Sequence, residues 1–384
     1  MSVTAARGFR AAGVVAGLKS SGAPDLALVV NDGPLQAAAA VFTANRVKAA
    51  PVLWSAQVVA DGIARAVLLN SGGANACTGP AGFADTHASA ERVAKLLDTG
   101  AADVLICSTG LIGERLPMDK LLPGIEQAVA ALTPDGGPEA AEAIRTTDSV
   151  AKTAAVRHAG GWTVGGMAKG AGMLAPSLAT MLCVLTTDAV ADAALVDAAL
   201  RAAVATTFDR LDADGCMSTN DTVLLLASGA SGVPAQPAEL AQAVHAVCAD
   251  LAAQLLADAE GATKEVEIVV SGAADEDDAV QVGRAIARNN LLKCALFGND
   301  PNWGRVLAAI GTTSAVFEAD QLDVRINGVQ VCRGGAAGDS RDLVDLTGRQ
   351  VRIEVSLHAG RDSATIYTND LSHTYVEENS AYST

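Results

Sequence analysis

Short apolar runs closed by turn residues alternate along the chain with longer, alanine-rich stretches of helical character. Leu26-Ala27-Leu28-Val29-Val30 stops at Asn31-Asp32-Gly33, and Ala66-Val67-Leu68-Leu69 stops at Asn70-Ser71-Gly72-Gly73. Runs of that length between such turn signals predict buried strands. Residues 103–107 read as another strand, entering the loop Ser108-Thr109-Gly110, while 86–97 and 118–132 fit helices. Beyond residue 180, 181–185 is a wholly apolar strand candidate, and 191–207 and 237–256 predict long helices. From about residue 265 the texture shifts to strands, at 266–270, 322–326, 351–357 and 363–367. The pattern predicts an α/β or α+β protein with a main region over 1–264 and a smaller strand-rich C-terminal domain over 265–384.

Composition narrows the class. With 384 residues there is room for two or three domains. Aromatics are only 3% of the chain, so the apolar half is mostly Ala, Val and Leu, which suits closely packed layers. No run approaches the roughly 18 uninterrupted apolar residues of a membrane span. No continuous apolar stretch follows Arg7 and Arg10, which argues against a secretory signal. A net charge of −16 repels phosphate backbones, so nucleic acid is not an expected partner, and neither is a membrane. Seven scattered cysteines, some inside apolar runs as at Cys107, read as reduced thiols and predict a cytoplasmic protein.

Several chemistries lack their residues. There is no Cys-x-x-Cys and no His-Glu-x-x-His, and the five histidines are far apart, so no metal site is expected. Gly165-Gly166-Met167-Ala168-Lys169-Gly170 resembles a phosphate loop only superficially, because the lysine precedes the glycine and no Ser or Thr follows. The Gly-x-Ser-x-Gly elbow is absent.

The informative stretch runs from Gly165 to Leu182. It reads as a glycine-rich loop, then Pro176, then Ala179-Thr180 at the head of a buried strand. The Thr180 hydroxyl could attack the Ala179 carbonyl, and hydrolysis of the resulting ester would free a threonine N-terminus. An α-amino group with a pKa of about 7.7–8.0 could then act as base for its own hydroxyl, with no histidine needed. The same spacing also fits an ordinary turn before a strand, where Thr is common.

Lys169-Gly170-Ala171-Gly172-Met173, Pro176 and Ala179-Thr180-Met181-Leu182 resemble the processing site of the glutamate N-acetyltransferase (ornithine acetyltransferase) family of arginine biosynthesis. Further family-like stretches follow in order: 40–46, 70–79, Ser108-Thr109-Gly110, Thr146-Thr147-Asp148, 218–222, 260–264, 300–305 and 379–384. They span nearly the whole chain. The resemblance implies a layered α/β sandwich of the amidase-like self-processing type, cut into 1–179 and 180–384, two of each forming a heterotetramer. It implies acetyl transfer from N2-acetyl-L-ornithine to L-glutamate through acetyl-Thr180, without a cofactor. Thr109 and Gly110 become the oxyanion pair, and Thr146, Lys169, Thr180, Glu260, Asn379 and Thr384 the substrate site. Glu260, at the expected end of the helix from 237, would oppose the helix dipole unless a cationic substrate offset it. Gly73, Ala171, Ser177-Leu178 and Cys216-Met217 depart from the family pattern. A related self-processed aminopeptidase or amidase, a form that also uses acetyl-coenzyme A, and a non-catalytic scaffold are the alternatives. The 300–305 stretch reads as a turn with a packed Trp303.

Overall fold

The computed structural model describes residues 2–173 and 181–381; Ala179, Thr180 and Thr384 lie outside the described residues. Two sheets face each other. One orders four strands as Phe9–Val14, Leu26–Asn31, Ala66–Ser71, Val104–Thr109. The other orders five as Ala37–Phe42, Thr222–Ala227, Leu182–Thr187, Thr163–Lys169, Lys152–Arg157. Successive side chains of a strand point to opposite faces, which explains how both sheets are covered twice. Ala27 and Val29 point inward to a core shared with Leu182, Val184, Leu224 and Leu226. Leu26, Leu28 and Val30 point outward against Val93 and Ile125 of helices Gly79–Leu97 and Met118–Ala130. Behind the second sheet, Cys183, Leu185, Val223 and Leu225 meet Val196, Leu200, Val247 and Leu251 of helices Ala193–Thr206 and Pro237–Ala257. The four layers form the expected α/β sandwich. Strands buried on both faces read as continuous apolar runs rather than alternating ones. Helix Pro237–Ala257 is long and apolar enough to cross a membrane, and its face from Leu240 to Leu255 is buried in this core.

A third sheet of six strands draws only on residues from Glu265 onward, in the order Ala336–Ala337, Val329–Arg333, Asp323–Ile326, Gln350–Ser356, Glu265–Ala273, Asp362–Asn369. Val266, Ile268 and Ile366 share a core there with Val282, Ile286, Val306 and Ile310. The strand texture beyond 265 hid three helices, Glu276–Ala287, Asn290–Phe297 and Trp303–Ile310. Each begins at a side chain that accepts the N–H three residues on, from Asp275, Asn289 and Asn302. The 300–305 stretch is therefore a helix start, with Trp303 packed on the core.

The glycine-rich loop needs a second correction. Gly165 and Gly166 sit inside the buried strand Thr163–Lys169. A Cβ on Gly165 would lie 2.4 Å from the Ser2 carbonyl oxygen, and one on Gly166 2.7 Å from Leu185 Cδ2. Their missing side chains admit neighbouring chain rather than a turn. All seven cysteines are free thiols, with Cys107, Cys183, Cys248 and Cys332 buried and the others exposed.

Candidate active site

The two central sheets end together. Lys169 closes its strand and pairs with Leu182, which pairs with Thr222, which pairs with Phe42. In the other sheet Thr109 closes its strand beside Ser71. A cavity of about 100 Å³ opens between these strand ends, and Thr109, Gly110, Thr146, Lys169, Glu260 and Asn379 all line it. Those are all the expected site residues that fall among the described ones. Residues 170–181 link two adjacent antiparallel strands, so the Ala179-Thr180 bond belongs to the connection of a strand pair.

Local geometry delivers each group. The N–H groups of Gly72 and Gly73 both donate to the Thr109 carbonyl at 3.0 Å, and a Cβ on Gly110 (φ 128°) would stand 2.7 Å from Gly73 N. Glycine at 110 lets the two loops touch. A Cβ on Gly73 would lie 2.9 Å from Leu116 Cδ2. Glu260 donates its N–H to the Ala171 carbonyl at 2.9 Å. A Cβ on Gly172 would be 2.3 Å from Glu260 Oε2, so glycine there makes room for the carboxylate. Asn379 is exposed on the terminal helix His373–Ala381. That helix is moored to the turn after Glu260: Asp370 accepts the N–H groups of Thr263 and Lys264 at 2.9 Å, and Ser372 Oγ donates to the Gly261 carbonyl at 2.5 Å.

The dipole argument for Glu260 is corrected. Helix Pro237–Ala257 ends with Asp258 as its C-cap, so Asp258 stands at the negative end. Lys152 offsets it, with Nζ 2.5 Å from Asp258 and 2.7 Å from Asp148, all three largely out of water. Asp148 also accepts N–H bonds from Gly170 at 2.6 Å and Thr146 at 3.0 Å. Burial pushes its carboxyl up, but Lys169, Lys152 and the Gly170 N–H outweigh that and hold it at about 2. Sequence reasoning quoted Asp148 in a motif but gave it no role and missed Lys152 and Asp258; opposite charges four residues apart were the available signal.

Lys169 is 2% exposed, and among the described residues its side chain's only hydrogen bond runs to Thr109 Oγ1 at 3.3 Å. Burial pushes its ammonium below the ordinary lysine value; Asp148, Asp221 and Glu260 oppose that shift, and Lys152 adds to it. Ser218, Thr219 and Asn220, quoted in a motif without a role, also line the cavity. Asn220 Nδ2 donates to the carbonyls of Ala74 at 2.6 Å and Ser108 at 2.8 Å, tying the two sheets together at this end. Among the described residues no group of three or more His, Cys, Asp or Glu could hold a metal.

A small cavity walled by a buried ammonium, a carboxylate, hydroxyls and backbone N–H groups suits a small charged molecule, as an enzyme of amino-acid chemistry requires. A model of the ArgJ family matches residues 10–384. The arginine biosynthesis bifunctional protein ArgJ of Streptomyces avermitilis is 67% identical over 383 residues, covering 100% of both chains. Its counterpart in Mycobacterium tuberculosis is 62% identical, covering 99% of this chain and 96% of that one. The crystal structure of arginine biosynthesis bifunctional protein ArgJ from Bacillus halodurans is similar with a TM-score of 0.50 and 34% identity, over 52% of this chain and 98% of its own. The chain belongs to the ArgJ family and is an N-acyltransferase.

Proposed function

We propose that the chain cleaves itself between Ala179 and Thr180 and then carries acetyl from N2-acetyl-L-ornithine to L-glutamate on Thr180, giving L-ornithine and N-acetyl-L-glutamate. The observation that carries this is the meeting of Thr109, Gly110, Thr146, Lys169, Glu260 and Asn379 on one cavity that Met173, at the start of the cleavage segment, also lines. In cleavage, Thr180 Oγ attacks the Ala179 carbonyl carbon, the peptide C–N bond breaks, and water hydrolyses the ester. In transfer, the freed α-amino group takes the hydroxyl proton while Oγ attacks the acetyl carbonyl, and the ornithine amine leaves with a proton. The glutamate amine then attacks the acetyl-Thr180 ester and restores the hydroxyl. The Thr109 hydroxyl and Gly110 N–H donate to the oxyanion. Lys169 pairs with a substrate carboxylate and Glu260 with the ornithine side-chain ammonium, while Thr146, Asn379 and Thr384 complete the site. The scheme uses no metal or organic cofactor.

Two further observations support cleavage. The solved Bacillus halodurans chain, matched over 98% of its length, spans only 52% of this one. The strands on either side of the cut are paired along their length from Val164↔Thr187 to Lys169↔Leu182, which would keep pieces 1–179 and 180–384 together. Two such pairs form a cytoplasmic heterotetramer in this reading. The word bifunctional in the relatives' names favours a second activity, for which acetyl-coenzyme A as donor is the reading.

The test is to incubate purified protein with acetylornithine, with and without glutamate, and to sequence its N-termini. N-acetylglutamate should form only with glutamate, and a second chain should begin Thr180-Met181-Leu182. Free acetate without glutamate would identify an amidase instead. Active protein that stays intact would sink the cleavage. Thr180→Ala should block both steps, and N-acetylglutamate formed from labelled acetyl-coenzyme A would establish the second activity.

A further inference from the structure

We infer that Asp214 and Asp221 are positioning residues for self-cleavage, holding the two described ends of the segment that carries Ala179 and Thr180; this rests on the cleavage reading above. The Met173 N–H donates to Asp214 Oδ2 at 2.6 Å. The Met181 N–H donates to Asp221 Oδ1 at 3.1 Å, and Asp221 Oδ2 takes the Ser218 N–H at 3.0 Å. Asp221 and Met181 are almost wholly buried.

Both carboxylates come from one loop, and that loop is fixed at each end. Near Asp214, the Asp212 N–H donates to the Tyr367 carbonyl at 2.8 Å, and Lys293 Nζ donates to the Ala213 carbonyl at 2.6 Å. At the other end the Asp221 carbonyl accepts the Thr43 N–H at 3.0 Å, and Thr222 begins the strand beside Leu182. Met173 has φ 56°, in the left-handed region that a methionine rarely adopts without support. Met181 N is joined to the Thr180 carbonyl carbon through a planar peptide, so Asp221 acts one bond from the proposed nucleophile's residue. Cleavage requires the Thr180 hydroxyl to reach the carbonyl just before it, and ends that are already held reduce the orientational freedom that must be lost. Neither carboxylate forms a bond or exchanges a proton in the step.

Asp25 supplies the control. It is equally buried and takes backbone N–H groups too, those of Ala16, Leu18 and Lys19, outside the segment. Full-length Asp221→Asn, Asp214→Asn and Asp25→Asn are followed for release of the Thr180 N-terminus over time, beside their Tm. Asp221→Asn should slow cleavage about 10- to 100-fold, and Asp214→Asn about 3- to 10-fold, as for one hydrogen bond. Asp25→Asn should lose stability yet cleave at the wild-type rate. Once cleaved, Asp221→Asn should show a lower kcat with an unchanged KM for acetylornithine, because Asp221 touches no substrate. Wild-type cleavage rates in both variants would overturn the inference, as would Asp25→Asn slowing as much as they do. If Asp221→Asn does not fold, Asp214→Asn against Asp25→Asn decides. Active wild-type protein that is never cleaved would overturn the cleavage reading itself, a separate outcome.

Discussion

Two lysines are buried nearly equally, in different parts of the molecule, and their partners could hardly differ more. Lys293, on the helix Asn290–Phe297, directs its ammonium at the Ala213 carbonyl, the Asn369 carbonyl and Asn369 Oδ1, each at 2.6 Å, with Thr368 Oγ1 at 3.0 Å. Lys169 has Thr109 Oγ1 at 3.3 Å and otherwise faces the cavity. An ammonium carries three donors, so Lys293 is saturated by its own chain, while among the described residues Lys169 retains donors for a molecule that enters. Burial is alike at the two sites; hydrogen-bond satisfaction separates a structural lysine from the one proposed to bind substrate.

The largest effect should come from the saturated lysine. Lys293→Met leaves several buried oxygens without a donor, at a cost of about 3–5 kcal/mol in chemical denaturation. Transfer per cleaved molecule should stay near wild type. Unchanged stability in this variant would break the comparison. Lys169→Met should do the reverse. A lost charge-assisted hydrogen bond is worth about 1.5–3 kcal/mol, or roughly 10- to 150-fold in kcat/KM for acetylornithine. Its stability should fall less than that of Lys293→Met, through Asp148, which loses one of the cations that hold its carboxyl down but keeps Lys152 and the Gly170 N–H.

The pH dependence sharpens the contrast from the carboxylate side. Asp148 titrates at about 2 in the fold, against about 3.9 unfolded. A depressed carboxyl contributes stability that is complete above the unfolded value and lost as pH falls through the folded one. The loss should be on the order of 2 kcal/mol between roughly pH 4 and pH 2, and Asp148→Asn should flatten it in acid denaturation. Lys293 works with the other sign. Burial lowers it to about 8, so between there and about 10.4 the unfolded chain binds more protons. Stability should therefore rise with pH in that window, a slope that Lys293→Met removes. The smallest effect concerns the opposite wall: Gly172→Ala places a methyl against the Glu260 carboxylate and should raise KM for acetylornithine about 3- to 10-fold, with the Tm nearly unchanged.

Sequence patterns located the strands at 26–30, 66–69 and 181–185 because doubly covered strands are apolar at every position. They passed over Ala37–Phe42, whose four alanines lack the β-branched signature, and Thr163–Lys169, where glycine reads as a loop. They also passed over the helices between 276 and 310, although Asp275, Asn289 and Asn302 stood at their starts as caps. For the site, motif resemblance named Thr109, Gly110, Thr146, Lys169, Glu260 and Asn379 before any geometry was available. It did not single out Lys152 and Asp258, whose charges meet Asp148 only when a strand and a distant helix end pack together.

The sequence by itself therefore determined the element types over most of the core, the layered class, the family and the residue types able to do the chemistry. These follow from local spacing and from motifs that lie within a few residues of one another. Only the tertiary structure decided that ends of strands from two sheets, the turn at Glu260 and the terminal helix would enclose one cavity. It alone decided that Lys293 would be saturated by the folded chain. The reason is physical: a short motif fixes what a side chain can donate or accept, whereas the partners that satisfy it come from segments brought near by packing.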